Sequence, residues 1–78
     1  MYRILVCDDD RDIVDAIEIY LSQEGYEIYK AYNGKEALEI IGNTEIHLAL
    51  MDIMMPEMDG IHAVMKLREK NQALPIIF

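Results

Sequence analysis

Two short runs in the sequence, residues 4–7 (ILVC) and 48–51 (LALM), are apolar at every position. A strand with one face in water alternates apolar and polar residues, so an unbroken apolar run is typical of a strand covered on both faces. Amphipathic segments of helical length lie between the runs. The pattern predicts an α/β fold with a parallel sheet and right-handed helical crossovers.

Strand-like runs and helical segments alternate along the whole chain. Strands are predicted at residues 4–7, 27–31, 48–51 and 76–78, with one helix in each interval. In the first helix Ile13, Ile17 and Leu21 recur at every fourth residue, with Val14 beside them, and all four are expected to face inward. Gly25 is the predicted stop of that helix.

The other two helices have capping signals of their own. Asn33 is a predicted N-cap with Glu36 in capping-box position, and Gly42 is expected to end this second helix. Asp59 is the predicted N-cap of the third helix. The predicted inner stripes comprise Ala37, Leu38 and Ile41 in the second helix, and Ile61, Val64, Met65 and Leu67 in the third.

The composition restricts the classes of partner. The 78 residues include 15 acidic and 7 basic side chains, for a net charge of −8. Such a charge disfavours direct binding to nucleic acid or anionic lipid and favours cations or basic partners. The single cysteine, Cys7, has no partner for an internal disulfide, and no signal-peptide pattern or membrane-length apolar run is found. These features predict a cytoplasmic protein that is not bound to a membrane.

Acidic residues follow two of the apolar strands. Asp8, Asp9 and Asp10 come directly after the first, and Asp52 comes directly after the third. Because ligands of open parallel sheets bind at the carboxyl ends of the strands, these side chains are expected to meet there, although Asp10 and Asp12 are predicted to serve as acids at the start of the first helix. A cluster of carboxylates without His or Cys favours Mg²⁺, with Mn²⁺ as a substitute. A carboxylate can also accept a phosphoryl group, and Asp52, alone after a rigid strand, is the best candidate acceptor.

At this point the sequence resembles the receiver domain of two-component response regulators, in the branch whose members carry a C-terminal winged-helix domain and act as transcription factors. That family has a flavodoxin-like parallel sheet of strand order 2-1-3-4-5 with helices on both faces. The matching segments are ILVCDDD (4–10), LSQEGYEI (21–28), AYNGKEAL (31–38), LALMDIMMPEMDG (48–60) and LPIIF (74–78).

The resemblance implies roles for individual residues. Asp52 would be the phosphoacceptor and also a metal ligand, Asp9 the main metal-ligating acid, and Asp8 its neighbour, acting partly through water. The backbone carbonyl of Met54 would be a further ligand of the metal. In the same loop, Pro56 and Gly60 would shape the turn, since proline restricts φ and glycine widens its range.

The resemblance also implies partners. The phosphoryl group would come from a phosphohistidine on a sensor histidine kinase, so the domain is an acceptor and not a turnover enzyme. DNA would be bound by a separate C-terminal domain of a longer parent protein, and not by this chain.

Compared with the family, the sequence supplies only the first four strands and three helices. Residues 1–78 are therefore expected to be the N-terminal part of a single receiver domain, lacking the end of the fourth strand and the elements after it. The family's phosphoryl-contacting hydroxyl residue and lysine would lie beyond Phe78, which predicts impaired phosphorylation. An apolar edge strand also predicts homodimerisation by strand pairing or segment exchange.

Two alternatives stay open at this stage. The first is an interaction module, degenerate or truncated, that binds a partner without phosphorylation. The second, which is weaker, is a phosphatase with an aspartate nucleophile, for which Asp8 and Asp10 supply the Asp-x-Asp pattern. Asp12 stands where that class has Thr or Val, and no substrate-binding cap is present.

Overall fold

The structure, a computed structural model, describes residues 1–52, 65 and 74–77. In these residues strands and helices alternate in the predicted order. The elements are β1 (Arg3–Cys7), α1 (Arg11–Gln23), β2 (Glu27–Ala31), α2 (Gly34–Asn43), β3 (Leu48–Met51) and β4 (Ile76–Ile77). The predicted third helix lies outside the described residues except at Met65, which is helical.

The four strands form one sheet in the order β2-β1-β3-β4, and every pairing is parallel. This order confirms the flavodoxin-like arrangement expected for the first four strands. In register, Cys7 at the end of β1 lies beside both Ala31 of β2 and Met51 of β3. The carboxyl ends of the three strands are therefore aligned, so residues that follow them emerge at one edge.

Alternate residues of β1 enter two apolar clusters on opposite faces of the sheet. Ile4 and Val6 pack with Val14 of α1, while Leu5 and Cys7 pack in the cluster that includes Ala37 of α2. These four of the five β1 residues are buried. The unbroken apolar run of β1 therefore reflects burial on both faces, as predicted.

Strand β3 is covered less evenly. Ala49 and Met51 are buried on the α2 face, whereas Leu48 and Leu50 on the α1 face are only half-buried. A continuous apolar run is typical of a strand covered on both faces, whereas the described residues cover only the α2 face of β3 completely.

The inner stripe of α1 is narrower than expected. Val14 is fully buried, and Ile17 and Leu21 pack against the same cluster. Ile13, predicted to face inward, is 45 % exposed. Successive helical residues are rotated by about 100°, which places Ile13 at the border of a stripe centred on the other three.

A similar correction applies to Met65, which was predicted to face inward. It is 63 % exposed. Its exposure places it outside the inner face that the apolar pattern predicted.

Gly25 ends α1 in the predicted manner. Its φ is +90°, in the left-handed region. The Gly25 N–H donates to the Ser22 carbonyl at 3.1 Å, and the Tyr26 N–H donates to the Leu21 carbonyl at 3.3 Å. These two bonds form the Schellman motif, in which the residue at this position needs a positive φ.

Asn33 caps α2 as predicted, since its side chain accepts from the Glu36 N–H at 2.8 Å. In a capping box the Glu36 carboxylate would accept from the N–H of the N-cap residue, Asn33. Here it accepts from the N–H of the preceding residue, Tyr32, at 2.7 Å. The predicted stop at Gly42 is wrong, because α2 continues through Asn43. The Asn43 side-chain amide donates to the Glu39 carbonyl at 2.9 Å, which satisfies one acceptor of the last turn.

Within the part of the chain that the structure describes, neither helix has the length and apolar character that crossing a bilayer requires.

Gly25 and Gly42 form a matched pair of test sites. A Cβ at either position would meet no atom within 4 Å, so a substitution tests the backbone alone. Gly25→Ala should lower the free energy of unfolding by about 1 kcal/mol, because alanine is strained at positive φ. Gly42→Ala should raise it by about 0.5 kcal/mol, because alanine is the better helix former. Urea titration of both variants measures these changes. If both substitutions changed the free energy of unfolding in the same direction, the placement of Gly25 at the left-handed end of α1 and of Gly42 within α2 would be contradicted.

Candidate functional site

Two backbone hydrogen bonds extend the parallel pairing one residue beyond the strands. The Asp8 N–H donates to the Ala31 carbonyl at 3.2 Å, and the Asp52 N–H donates to the Cys7 carbonyl at 2.8 Å. The first bond ties Asp8 to the end of β2, and the second ties Asp52 to the end of β1. The backbone of both acidic residues is therefore held by the sheet.

This placement gathers three carboxylates. Asp8, Asp9 and Asp52 each offer an oxygen, and these oxygens lie within 4.8 Å of one another. Asp8 and Asp52 are half-buried, and Asp9 is exposed. Met54, Pro56 and Gly60, the other residues predicted for the site, lie outside the described residues.

Asp10 has a different role from its neighbours. Its side chain caps α1, accepting from the N–H groups of Asp12 at 3.0 Å and Ile13 at 3.4 Å. Its own N–H donates to Asp8 Oδ1 at 2.9 Å. Asp10 therefore starts the helix and orients the carboxylate of Asp8, while its own carboxylate is occupied by capping.

The three carboxylates repel one another where water is partly excluded. The pKa of Asp8 is raised above its usual value, first by burial and then by the charges of Asp52 and Asp9, although the bond from the Asp10 N–H opposes the rise. Such a cluster either takes up protons or holds a cation. Its donors are all carboxylate oxygens, which is the ligand set that Mg²⁺ prefers, so the residues present fit this ion.

Cys7 lies below the cluster and belongs to the core. Its thiol donates to the Asn33 carbonyl at 3.4 Å and is almost completely buried. Burial, followed by the charges of Asp8, Asp52 and Glu36, raises the pKa of Cys7 to about 12. The side chain is therefore a neutral thiol at physiological pH.

An open hollow of about 530 Å³ adjoins the cluster on the α1 face. Among the described residues, Asp8 and Asp52 lie at its polar end, and Val6, Ile17 and Leu50 contribute apolar lining. The hollow gives a small ion or a phosphoryl group access to the two half-buried carboxylates.

A cationic side chain stands on the β2 side of the cluster. The guanidinium carbon of Arg11 lies 3.9 Å from the ring centroid of Tyr32, the residue that follows β2. Neither residue is among those predicted for the site. The two are far apart in the chain and belong to no common motif, so only the alignment of β1 with β2 brings them together.

The sequence profile of the response regulator receiver domain matches residues 4–78. This chain belongs to the receiver domain family. The match covers nearly the whole chain, including the segments that carry Asp8, Asp9 and Asp52. It favours the receiver over the phosphatase alternative raised by the sequence.

Two named relatives of this receiver are regulatory proteins. Regulatory protein VanR of Enterococcus faecium is 45 % identical over 75 residues, which cover 96 % of this chain and 32 % of VanR. The uncharacterized transcriptional regulatory protein YrkP of Bacillus subtilis is 44 % identical over 77 residues, which cover 99 % of this chain and 32 % of YrkP. The receiver therefore spans about a third of the length of these relatives.

A solved relative has the same fold. The response regulator protein TrrA from Thermotoga maritima, in complex with Mg²⁺-BeF, superposes with a TM-score of 0.94 and is 38 % identical, over 100 % of this chain and 68 % of TrrA. In a second structure TrrA is in complex with the histidine kinase ThkA; the match has a TM-score of 0.90 and covers 97 % of this chain and 66 % of that one.

The repulsion within the carboxylate cluster predicts a pH-dependent effect of Asp8→Asn without metal. A raised pKa in the folded state means that the contribution of Asp8 to stability is present below the usual aspartate range and is lost as pH rises through the raised value. In EDTA at pH 7, Asp8→Asn should therefore raise the urea midpoint, and near pH 3 the difference should vanish. The asparagine Oδ1 can still accept from the Asp10 N–H.

Asp12→Asn is the control for this experiment, because it makes the same charge change at an exposed acid in the first turn of α1. It should not raise the midpoint at pH 7, since an acid there interacts favourably with the helix N-terminus. An equal rise in both variants would show that net charge, and not the cluster, causes the effect.

Proposed function

We propose that this receiver accepts a phosphoryl group on Asp52 from a phosphohistidine of a sensor histidine kinase, in a reaction that requires Mg²⁺. One observation carries the proposal: carboxylate oxygens of Asp8, Asp9 and Asp52 lie within 4.8 Å of one another at the carboxyl edge of the sheet. The family of the chain, the hollow beside Asp52 and the all-oxygen donor set support it.

Each site residue has a proposed part. A carboxylate oxygen of Asp52 attacks the phosphorus, a P–O bond forms, and the P–N bond to the donor imidazole breaks with its electron pair going to the ring nitrogen. Asp9 is the main metal-ligating acid, and Asp8 ligates partly through water. The Met54 carbonyl completes the protein ligands, while Pro56 and Gly60 shape its loop.

Mg²⁺, when bound, neutralises charge on the transferring phosphoryl oxygens and on the carboxylates around them. Mn²⁺ can substitute, because it prefers the same oxygen ligands and geometry. The Mg²⁺-BeF complex of TrrA supports the choice of Mg²⁺.

The proposed partners follow from the relatives. The TrrA complex with ThkA supports a histidine kinase as the donor. VanR and YrkP support a longer parent protein that controls transcription through a separate DNA-binding domain. The net charge of −8 disfavours contact between this receiver and DNA, and the single cysteine, buried as a neutral thiol, accords with a cytoplasmic location.

Phosphorylation is tested by incubating the protein with Mg²⁺ and acetyl phosphate and measuring a labile adduct by mass spectrometry. Wild type should form the adduct, and EDTA should prevent it. Asp52→Asn should form none, because the attacking oxygen is lost. Asp8→Asn should form it more slowly, with a weaker affinity for Mg²⁺, and Asp12→Asn should match wild type.

Two results would contradict the proposal. An unchanged amount of adduct in Asp52→Asn would show that another residue accepts the phosphoryl group. No adduct in wild type with either acetyl phosphate or a phosphorylated kinase would favour the alternative of an interaction module that works without phosphorylation.

We also propose that two copies associate through β4. Within the described residues β4 pairs only with β3, and Ile77 is 55 % exposed, so an apolar edge is open to a further strand. Light scattering should give a mass that rises toward the dimer with concentration. Ile77→Lys should lower that association, because a charge on an edge strand opposes pairing.

Ile19→Lys is the control for the β4 variant, since Ile19 is 62 % exposed on α1 and not on the sheet edge. It should leave the association unchanged. A monomeric wild type at every concentration would exclude the dimer.

A further inference from the structure

Arg11 is held at the edge of the candidate site by an aromatic ring. It is the first residue of α1, and its guanidinium lies over Tyr32 at 3.9 Å. Tyr32 directly follows Ala31, whose carbonyl accepts from the Asp8 N–H. The stacked pair therefore connects the start of α1 with the loop after β2, next to the strand end that carries Asp8 and Asp9.

The charge of Arg11 is not neutralised by an ion pair within the described residues. Arg3 pairs with Glu27 and Glu45 at the opposite edge of the sheet, where β1 and β2 begin. Lys30 pairs with acids of α1 on the surface of the sheet. Arg11 has the Tyr32 ring as its contact, and a ring face attracts a cation without cancelling its charge.

Stacking leaves the hydrogen-bonding edge of a guanidinium available. The five N–H donors of arginine lie in the plane of the group, whereas the ring contacts its face. Planar N–H pairs are suited to phosphoryl oxygens, which they bind in bidentate fashion. Because the ring restricts the side chain before a ligand arrives, less conformational entropy is lost on binding.

The carboxylate cluster repels a negatively charged phosphoryl donor, and a cation near the site would reduce that repulsion. A phosphoryl donor is negatively charged, and it must approach three carboxylates on a protein of net charge −8. Glu36, whose carboxylate bonds to the Tyr32 N–H, adds negative charge on the same side. A bound divalent ion offsets part of this repulsion, and an adjacent guanidinium lowers it further.

We propose that Arg11, held by Tyr32, binds the dianionic phosphoryl group of the donor and guides it toward Asp52. This inference rests on the proposed phosphoacceptor function. It assigns Arg11 to donor binding, Tyr32 to the positioning of Arg11, and the substrate class to phosphoryl donors that are doubly negative.

The test compares rates of adduct formation with acetyl phosphate at saturating Mg²⁺ and low salt. Arg11→Gln should lower the second-order rate constant about three- to tenfold, as expected for one charge acting on a dianion across a few ångströms of wet protein surface. The loss should appear in the donor concentration at half-maximal rate and not in the maximal rate. Arg11→Lys should recover part of the rate, because it keeps the charge but not the planar donor pair.

The affinity for Mg²⁺ is a second measurement, and Arg11→Gln should change it in the direction opposite to its effect on donor affinity. Removing a cation beside three carboxylates should tighten Mg²⁺ binding in Arg11→Gln, whereas a variant that merely disturbs the site would weaken it. Tyr32→Phe should behave as wild type, since the ring is kept. Tyr32→Leu should lose part of the donor affinity, and adding Arg11→Gln to it should cost less than the single substitutions imply.

Arg3→Gln is the matched control, because it removes the same charge at the opposite edge of the sheet. An equal slowing in Arg3→Gln and Arg11→Gln would overturn the proposal in favour of a net-charge effect. In 1 M salt, where charges are screened within about 3 Å, the difference between wild type and Arg11→Gln should shrink below twofold.

Failure of this inference is distinct from failure of the proposed function. If wild type forms the Asp52 adduct and Arg11→Gln forms it equally fast at low salt, only the role of Arg11 is wrong. If wild type forms no adduct with acetyl phosphate or kinase, the phosphoacceptor function fails and the role of Arg11 falls with it.

Discussion

The parallel pairing of β1 with β2 on one side and β3 on the other is the constraint on which the rest of the structure depends. It aligns three strand ends, and the hydrogen bonds of the Asp8 and Asp52 N–H groups carry the alignment one residue further. Because the sheet is parallel, every strand delivers its following residue to the same edge. The clustering of the acidic residues is therefore a consequence of backbone geometry, with packing on both faces of β1 keeping that geometry rigid.

Gathering the three carboxylates costs electrostatic free energy, and the packing of the core does not remove the repulsion between them. Asp8 and Asp52 are half-buried beside Asp9, and burial, followed by the charges of Asp52 and Asp9, raises the pKa of Asp8. The arrangement is of the kind found where a protein needs a site for a cation and not where it needs stability. The bond from the Asp10 N–H to the Asp8 carboxylate opposes that rise in pKa without filling the position between the three acids.

Local signals in the sequence predicted local structure well. Gly25 and Asn33 act at the helix ends as expected, because capping depends on residues within one turn. Predictions that needed the position of an element relative to its neighbours were less accurate. Ile13 and Gly42 differ from expectation, since how far a face is covered, or whether a last turn is satisfied, depends on contacts outside the segment.

The sequence by itself determined the order of the elements, the buried character of β1 and the grouping of acids after the strands, because periodicity and chain direction encode them. The N-cap role of Asp10 is local as well, and the sequence indicated it. Tertiary structure decided how close the acids of different strands come, and it brought carboxylate oxygens of Asp8, Asp9 and Asp52 within 4.8 Å of one another. It also placed Arg11 over Tyr32, a contact that no local pattern encodes because it arises only when β1 and β2 pair and bring the following loops side by side.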